Sequence, residues 1–163
     1  MIERTLVLIK PDGIFRGLIG EVIKRFEQRG LKIIGLKMIK IDEDFAKKHY
    51  TEDISKRRGE HVRNKLVRYI KNEPIIVVCL EGVNAVDNVR KIVGETEPSK
   101  ALPGTIRGDF AHVTFNYADN KDIAVKNLVH ASGSKEEAIR EIKLWFKEEE
   151  LYNYKAVHDD HVF

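Results

Sequence analysis

The amino-acid sequence predicts an α/β protein of the α+β type, with helices packed on a small sheet, and three observations support this. Hydrophobic residues alternate along the chain between the two-residue period of strands and the 3.6-residue period of helices. The segments follow one another without a repeat, a low-complexity stretch or a linker. The chain has 163 residues, of which 42% are hydrophobic, enough for one core but too few for two ordinary domains. We therefore expect a single domain over residues 1–163.

The first part of the chain predicts two strands with a helix between them. Thr5 to Ile9 form a short apolar run that stops at Lys10-Pro11-Asp12-Gly13, a turn whose proline cannot extend a strand. Lys10 is therefore expected at a strand end. Apolar residues at helical spacing predict an amphipathic helix over 17–29. Residues 31–41 alternate apolar and cationic side chains, which predicts a strand with one solvated face.

The middle of the chain predicts two helices, a buried strand and a third helix. Asp42 or Asp44 caps the first helix, and the second has one apolar face, formed by Val62, Leu66, Tyr69 and Ile70. Ile75 to Leu80 is a continuous apolar run, typical of a central strand buried on both faces, and it contains the only cysteine, Cys79. Asn84 is expected to cap a short helix that places Val86, Val89 and Val93 inward.

The last part of the chain completes the pattern. Residues 95–108 form a long irregular stretch of the kind that is often functional. Phe110 to Phe115 predicts a fourth strand. Ser134 and Glu137 predict a capping box for a helix that buries Ala138, Ile139, Ile142 and Trp145, followed by a surface tail. The order of elements corresponds to a ferredoxin-like βαββαβ fold, with an antiparallel four-stranded sheet and extra helices.

Charge and hydropathy exclude some classes of partner. The chain has 29 basic and 26 acidic residues, a formal net charge of +3, which does not require a nucleic-acid partner. Scattered surface charge accounts for this total, and so does a local cationic cluster that would suit a small anionic substrate. No apolar stretch approaches the roughly 18 residues of a membrane span. We expect a cytoplasmic protein without a membrane partner.

Four stretches of the sequence resemble the nucleoside diphosphate kinase family, in the family's order and along nearly the whole chain. They are ERTLVLIKPDG with RGLIGEVIKRFEQRG (Glu3 to Gly30), VRKIVGETEPS (Val89 to Ser99), PGTIRGDF (Pro103 to Phe110), and NLVHASGS continuing to EEAIREIKLWF (Asn127 to Phe146). The resemblance implies a ping-pong enzyme that transfers the γ-phosphate of a nucleoside triphosphate, mainly ATP, to a nucleoside diphosphate. A phosphohistidine intermediate carries the group between the two nucleotides.

A histidine suits this chemistry because neutral imidazole is an available nucleophile near pH 7, and the phosphorus–nitrogen bond passes its group onward readily. The chain has six histidines, and spacing alone does not choose among them. The match of NLVHASGS to the family's active-site motif implies that His130 is the nucleophile. By the same resemblance Glu141 orients the imidazole and Ser132 hydrogen-bonds within the same network.

Phosphoryl transfer also needs fixed positive charge where the phosphates lie. The resemblance implies that Lys10 and Asn127 hold the sugar hydroxyls and that Tyr50 lies close to the transferred group. It assigns the phosphate contacts to Arg58, Arg90, Thr96 and Arg107.

The sequence lacks the phosphate loop and the protein-kinase signatures of other ATP-binding proteins. The resemblance implies that Mg²⁺ is carried by the nucleotide's phosphates, without metal ligands from the protein. His158 and His161 could suggest a metal pair, but a solvated tail is the preferred interpretation. The family also implies a homo-oligomer, either a hexamer or a tetramer, with the hexamer favoured.

The sequence departs from the family pattern in three places. The region KRRGEHVRNKLV is longer than usual and places His61 or Val62 where the family has a phenylalanine that stacks on the base, so stacking is expected to be weaker or supplied differently. The stretch 111–126 is also longer, which could alter subunit contacts or substrate access. Gly133 replaces a usual aspartate and is expected to loosen its loop.

Two alternative functions share the predicted fold. RGDFAHVTF (Arg107 to Phe115) is similar to the aromatic strand motif of RNA-recognition modules, which makes an RNA-binding module the main alternative. The extra Asp109 shifts side chains to the other face of a strand, and the first strand is aliphatic where a second aromatic motif is expected. A regulatory module that binds small molecules would leave His130 without a chemical task.

Overall fold

An antiparallel four-stranded sheet forms the centre of the structure. The computed structural model describes residues 1–157 and 159–162, and of Val162 only the backbone. The strands are β1 (Ile2–Ile9), β2 (Lys32–Ile39), β3 (Ile75–Val83) and β4 (Val129–Ala131). They lie in the order β2-β3-β1-β4, and each neighbouring pair is antiparallel. This order is that of the ferredoxin-like βαββαβ fold, so the predicted fold class is confirmed.

Helices lie between the strands and after β4, and several of them contact the sheet. They are α1 (Pro11–Phe15), α2 (Ile19–Gln28), α3 (Glu43–His49), α4 (Glu52–Arg58), α5 (Glu60–Ile70), α6 (Ala85–Val93), α7 (Ile106–Phe110), α8 (Phe115–Asn120), α9 (Lys135–Trp145) and α10 (Asp159–Val162). Pro98–Lys100 and Glu148–Glu150 form short 3₁₀ turns. In the described part of the chain, no helix combines the length and the hydrophobicity needed to cross a bilayer.

Strand β1 is buried on both faces because its apolar run supplies residues to two hydrophobic clusters. Alternate side chains of a strand point to opposite faces of the sheet. Leu6 and Leu8 pack in the cluster that contains Trp145 of α9. Val7 and Ile9 pack in the cluster that contains Phe26 of α2. The two layers fix the end of β1, which is where Lys10 follows.

The fourth strand does not lie at 110–115, so that prediction was wrong. The Thr105 hydroxyl accepts a hydrogen bond from the Gly108 amide at 3.0 Å and begins α7, while the Thr114 hydroxyl accepts from the Tyr117 amide at 3.0 Å and begins α8. Only a short connection remains between these helices. Residues 129–131 pair with β1 instead.

This correction removes the basis of the RNA-binding alternative. That alternative required Phe110 and Phe115 to project from one strand, as stacking rings do in RNA-recognition modules. In the structure Phe110 ends α7 and Phe115 begins α8. The two rings therefore do not share a sheet face.

The end of the chain is more ordered than the predicted surface tail. The Tyr152 amide donates to the Ile34 carbonyl at 2.7 Å, and the Tyr154 hydroxyl donates to the Ile33 carbonyl at 2.9 Å. The segment thus runs along β2 and covers part of this edge strand. Of the suggested metal pair, His158 lies outside the described residues.

Helix α9 is capped differently from the prediction. The Ser134 hydroxyl accepts from the Glu137 amide at 3.1 Å, as expected. The Glu137 carboxylate, however, accepts from the Gly133 amide at 2.6 Å rather than from Ser134, so the capping box is only half formed. Ile139 is 57% exposed, not buried. Asn84 precedes α6 with a left-handed backbone and no capping hydrogen bond from its side chain.

Candidate active site

A cavity of about 1120 Å³ lies beside the ends of β1 and β4. It is large enough for a nucleotide-sized ligand. Nine of the ten residues proposed from the sequence line it, namely Lys10, Tyr50, Arg58, Arg90, Thr96, Arg107, Asn127, His130 and Glu141. The tenth, Ser132, is fully buried and hydrogen-bonds to Glu141. The fold therefore gathers residues from distant parts of the chain at one site.

His130 lies in β4, opposite Leu8 of β1, and its side chain is 20% exposed. Its Nε2 atom is 2.9 Å from Oε1 and 3.1 Å from Oε2 of Glu141. A carboxylate can only accept, so Nε2 donates this hydrogen bond and carries the ring hydrogen. Nδ1 has no hydrogen-bond partner among the described residues, and in this tautomer its lone pair is available.

Glu141 is held as an anion inside the protein. Burial alone would raise its pKa, but its contacts with His130, His49 and Ser132 lower the pKa to about 2. The Ser132 hydroxyl donates to Oε2 at 2.6 Å and itself accepts from the Leu6 amide of β1 at 3.3 Å. The charge that orients His130 is thus tied to the central strand.

His49 is a part of the site that the sequence did not reveal. It is fully buried at the end of α3, and its ring stands edge-on to that of His130 with 4.6 Å between centroids. Nδ1 of His49 accepts from the indole Nε1 of Trp145 at 3.2 Å. Burial, with the neighbouring His130, lowers the pKa of His49 to about 3, so His49 is neutral near pH 7. A histidine beside Tyr50 on a predicted helix was the only available signal.

Tyr50 follows His49 and is 5% exposed. Its ring centroid lies 6.5 Å from that of His130. Burial, together with the nearby charges of Glu141 and Asp12, raises the pKa of Tyr50, so its hydroxyl keeps its proton. The structure therefore places this tyrosine close to His130.

Lys10 and Asn127 form a buried pair at the end of β1. The Lys10 ammonium donates a short hydrogen bond to Oδ1 of Asn127, and Nδ2 of Asn127 donates to the Thr96 carbonyl at 2.7 Å. Burial lowers the pKa of Lys10 to about 8, partly against the attraction of Asp12. The pair links the first strand to the loop that contains Thr96.

Asp12 is a second residue that sequence reasoning did not single out. Its carboxylate accepts from the Leu128 amide at 2.9 Å. Leu128 has a φ of 70°, a left-handed backbone conformation that costs a non-glycine residue energy. The carboxylate therefore stabilises an unusual turn immediately before β4, which contains His130.

Arg107 is fixed by the backbone around it. Its guanidinium donates to the carbonyls of Gly94 at 2.8 Å, Asn127 at 3.2 Å and Val129 at 2.7 Å. A guanidinium has five N–H donors, so these bonds leave some free for a ligand. Burial, with nearby Arg90, lowers the pKa of Arg107 to about 10, and the group remains cationic near pH 7.

Arg90 and Arg58 are exposed cations that line the same cavity. Within the described residues neither makes an ion pair, so both charges are available to an anion. The Arg58 guanidinium lies over the ring of Phe115, 5.7 Å from its centroid. Thr96, another residue of the lining, has an intermediate exposure.

The Gly133 loop is tied down rather than loosened. Its amide donates to Glu137, as described above, and a Cβ at position 133 would meet the same carboxylate at 2.7 Å. Glycine at this position therefore allows the Glu137 carboxylate to approach the backbone closely.

His49, His130 and Glu141 bring three ligand-type atoms within 4.8 Å of one another, a spacing that a metal ion could use. These atoms already have partners, since His49 accepts from Trp145 and Glu141 binds His130 and Ser132. Mg²⁺ also prefers oxygen ligands and retains water. The cluster is thus a poor cage for Mg²⁺, whereas the cationic lining suits an anionic ligand.

Comparison with known proteins identifies the family to which the chain belongs. The family model described as nucleoside diphosphate kinase matches residues 3–151. The chain is 52% identical over 157 residues to a nucleoside diphosphate kinase of Pyrococcus horikoshii, with 96% of this chain and 93% of the relative covered. It is 47% identical over 156 residues to a nucleoside diphosphate kinase of Borreliella burgdorferi, with 95% and 93% covered.

Comparison of the fold with solved structures gives the same family. A nucleoside-diphosphate kinase from Borrelia burgdorferi, solved as a transition state mimic with bound vanadate and ADP, superimposes with a TM-score of 0.97 at 46% identity. The match covers 99% of this chain and 96% of that chain. Since the family model, the curated relatives and the solved structure agree over almost all of its length, the chain belongs to the nucleoside diphosphate kinase family of phosphotransferases.

Proposed function

We propose that His130 carries a phosphoryl group between nucleotides in a ping-pong reaction. The observation that carries this proposal is the Nε2 hydrogen bond of His130 to the buried Glu141 anion. It leaves Nδ1 as the free nitrogen in a cavity lined by lysine and arginine. The Borrelia burgdorferi structure with vanadate and ADP supports the same chemistry, because it is described as a transition state mimic.

In the first half-reaction, the lone pair on Nδ1 attacks the γ-phosphorus of a nucleoside triphosphate. The bond from this phosphorus to the β–γ bridging oxygen breaks, and the nucleoside diphosphate leaves with the electron pair. The ring becomes positive as the phosphorus–nitrogen bond forms, and the Glu141 carboxylate stabilises that charge through Nε2. In the second half-reaction a terminal oxygen of another diphosphate attacks, and the ring regains its lone pair.

Fixed cations stabilise the negative charge on the transferred group. We assign the phosphate contacts to Arg90, Thr96 and Arg107, with Arg58 as a further contact. Lys10 and Asn127 hold the sugar hydroxyls in this proposal, since they form a buried hydrogen-bonded pair in the same cavity lining. Tyr50 and Ser132 position the nucleophile in this proposal. Tyr50 lies beside the imidazole, and Ser132 holds the Glu141 carboxylate through a hydrogen bond.

The phosphates would bring Mg²⁺ with them, and the ion would supply further neutralisation of their charge. The chain's own contribution is the cationic lining that receives this complex. Nucleoside diphosphates and triphosphates, with ATP as the main donor, are the proposed substrates.

We propose further that residues 1–163 act as one domain in a homo-oligomer, with a hexamer as the favoured form. The edge strand β2 supports an assembly because it exposes Leu36 and Met38, at 51% and 58%. Exposed apolar side chains on an edge strand favour contact with another chain. Light scattering in solution would give the subunit number. The proposed location is the cytoplasm.

Labelled ATP tests the enzymatic proposal. Incubation with γ-labelled ATP and Mg²⁺ should leave acid-labile, base-stable label on the chain, and added GDP should remove the label as GTP. His130→Ala should take up none, whereas His161→Ala, which changes an exposed histidine outside the cavity, should behave like the wild type. Label on His130→Ala would refute the assignment of the nucleophile, and an unlabelled wild type would refute the phosphohistidine route.

A further inference from the structure

The stretch 111–126, which is longer than in the family pattern, contributes an aromatic residue to the cavity. Helix α8 begins at Phe115, and the Phe115 side chain lines the cavity together with Val62, Leu66 and Ile123. We propose that Phe115 is the platform on which the base of the nucleotide stacks. This inference rests on the proposed function, because it assigns the binding of one part of the same substrate.

Aromatic side chains hold bases by stacking because every base has a flat π-face. Within the described cavity lining, the other aromatic rings are His49, Tyr50 and His130, and these pack against one another around the reacting histidine. Phe115 lies outside that cluster. Val62 and Leu66 of α5, which are apolar residues of the same lining, suit the uncharged faces of a base rather than a phosphate.

The Phe115 ring presents a face that a planar group can reach. The guanidinium of Arg58 lies over it, 5.7 Å from the ring centroid. Arg58 is exposed and makes no ion pair with any described residue, so a base can displace it. The displaced cation would then be free to approach the phosphates, which reconciles its contact with Phe115 and its proposed role.

The backbone of Phe115 is fixed to the phosphate-binding side of the cavity. Its amide donates to Oε1 of Glu97 at 2.9 Å, and Glu97 is only 8% exposed. Glu97 directly follows Thr96, a proposed phosphate contact. The distance from the stacking ring to the phosphate site is therefore set by two adjacent residues.

Ion pairs attach the rest of the added segment to α5. The Lys65 ammonium lies 3.2 Å from Oδ1 of Asp119 and 3.4 Å from Oδ1 of Asp122. Lys65 is 8% exposed, whereas both aspartates are exposed. These contacts keep α8 against the helix that contributes Val62 and Leu66. Lys65 and Asp119 also line the cavity, and in this proposal their ion pair positions the platform.

Binding measurements separate stacking from phosphate contacts. Dissociation constants of ADP and of inorganic triphosphate, which lacks a base, would be measured by calorimetry for Phe115→Ala, Phe115→Leu and Phe115→Tyr. Loss of one stacking ring should weaken ADP binding by roughly tenfold for Ala and Leu. Phe115→Tyr should remain within about twofold of the wild type, because it retains the π-face. Triphosphate binding should not change in any of the three.

Tyr117→Ala is the matched control, because it removes an exposed aromatic ring from the same helix outside the cavity. It should leave both ligands unaffected. Lys65→Met should weaken ADP binding and leave triphosphate binding unchanged. Arg68→Ala, which removes an exposed partner of Asp122, should leave the binding of both ligands unchanged.

The proposal is overturned if Phe115→Leu binds ADP as the wild type does, or if it loses ADP and triphosphate affinity equally. The phosphohistidine assay remains independent of this result. The wild type should label His130 whether or not Phe115 stacks on the base, so failed stacking and a failed phosphohistidine route give different outcomes.

Discussion

The Nε2 atom of His130 lies 2.9 Å from a Glu141 carboxylate that is 1% exposed. This buried hydrogen bond fixes both the orientation and the tautomer of the imidazole. It also ties the strand that contains the proposed nucleophile to α9, because Glu141 is part of that helix. Reactivity and stability therefore depend on the same contact.

Glu141→Gln should slow phosphorylation of the protein by roughly 10²-fold, the scale of a small misplacement of a reacting group. The amide has nearly the same shape, but it no longer stabilises positive charge on the ring. Rapid-quench measurement of label transfer from ATP would give the rate. An unchanged rate would mean that orientation by the carboxylate is unnecessary. Glu136→Gln, an exposed residue of the same helix, is the control.

Acid should destabilise the wild type more than Glu141→Gln. Burial opposes ionisation of Glu141, but its contacts with His130, His49 and Ser132 lower its folded-state pKa from 4.5 to about 2. A carboxyl group with a lowered folded-state pKa contributes stability above its unfolded pKa, and loses it as the pH falls through the folded value. The difference in free energy of unfolding between the two proteins should shrink from pH 5 to pH 3 in urea titrations. A constant difference would contradict this expectation.

The affinity for ADP should decrease as the pH rises through about 8. Burial lowers the pKa of Lys10 to this value, so the ammonium loses its charge in a range where ordinary lysines retain theirs. Calorimetry at pH 7 and pH 9 would detect the change in the dissociation constant. Lys10→Gln should bind weakly at both pH values and show a smaller change. An equal change in both proteins would assign the effect to another group.

His49→Phe should lower the free energy of unfolding by about 1–3 kcal/mol, because it leaves the buried Trp145 N–H without its acceptor. Trp145→Phe removes the donor, and the double variant removes both partners. The decrease in free energy of unfolding of the double variant should therefore be smaller than the sum of the decreases in the two single variants. Chemical denaturation of all four proteins measures this coupling, and strict additivity would show that the hydrogen bond contributes nothing.

The sequence predicted the elements whose periodicity is uniform. The apolar run Ile75 to Leu80 is indeed buried in β3, because a strand without polar residues is buried on both faces of the sheet. Asp42 caps α3 through a hydrogen bond from the Phe45 amide at 2.8 Å. Local rules were sufficient in both cases. Cys79 is also buried, as its apolar neighbours indicated.

The elements that were missed depend on distant contacts. Strand β4 has only three residues and contains a histidine, so its pattern was weaker than the misleading run at 110–115. The segment around Tyr152 is fixed by the β2 backbone rather than by its own side-chain pattern. His49 could not be distinguished from the other histidines, because its role depends on Trp145 and Glu141, which come much later in the chain.

Ser132 and Leu6 are 126 positions apart, yet they hydrogen-bond directly. A ribosome must therefore synthesise almost the entire path from β1 through α9 before the proposed site can assemble. Until then β1 lacks its partner β4, and any early product contains Lys10 but not the histidine. Phosphotransfer by the nascent chain should therefore begin only after translation has passed α9.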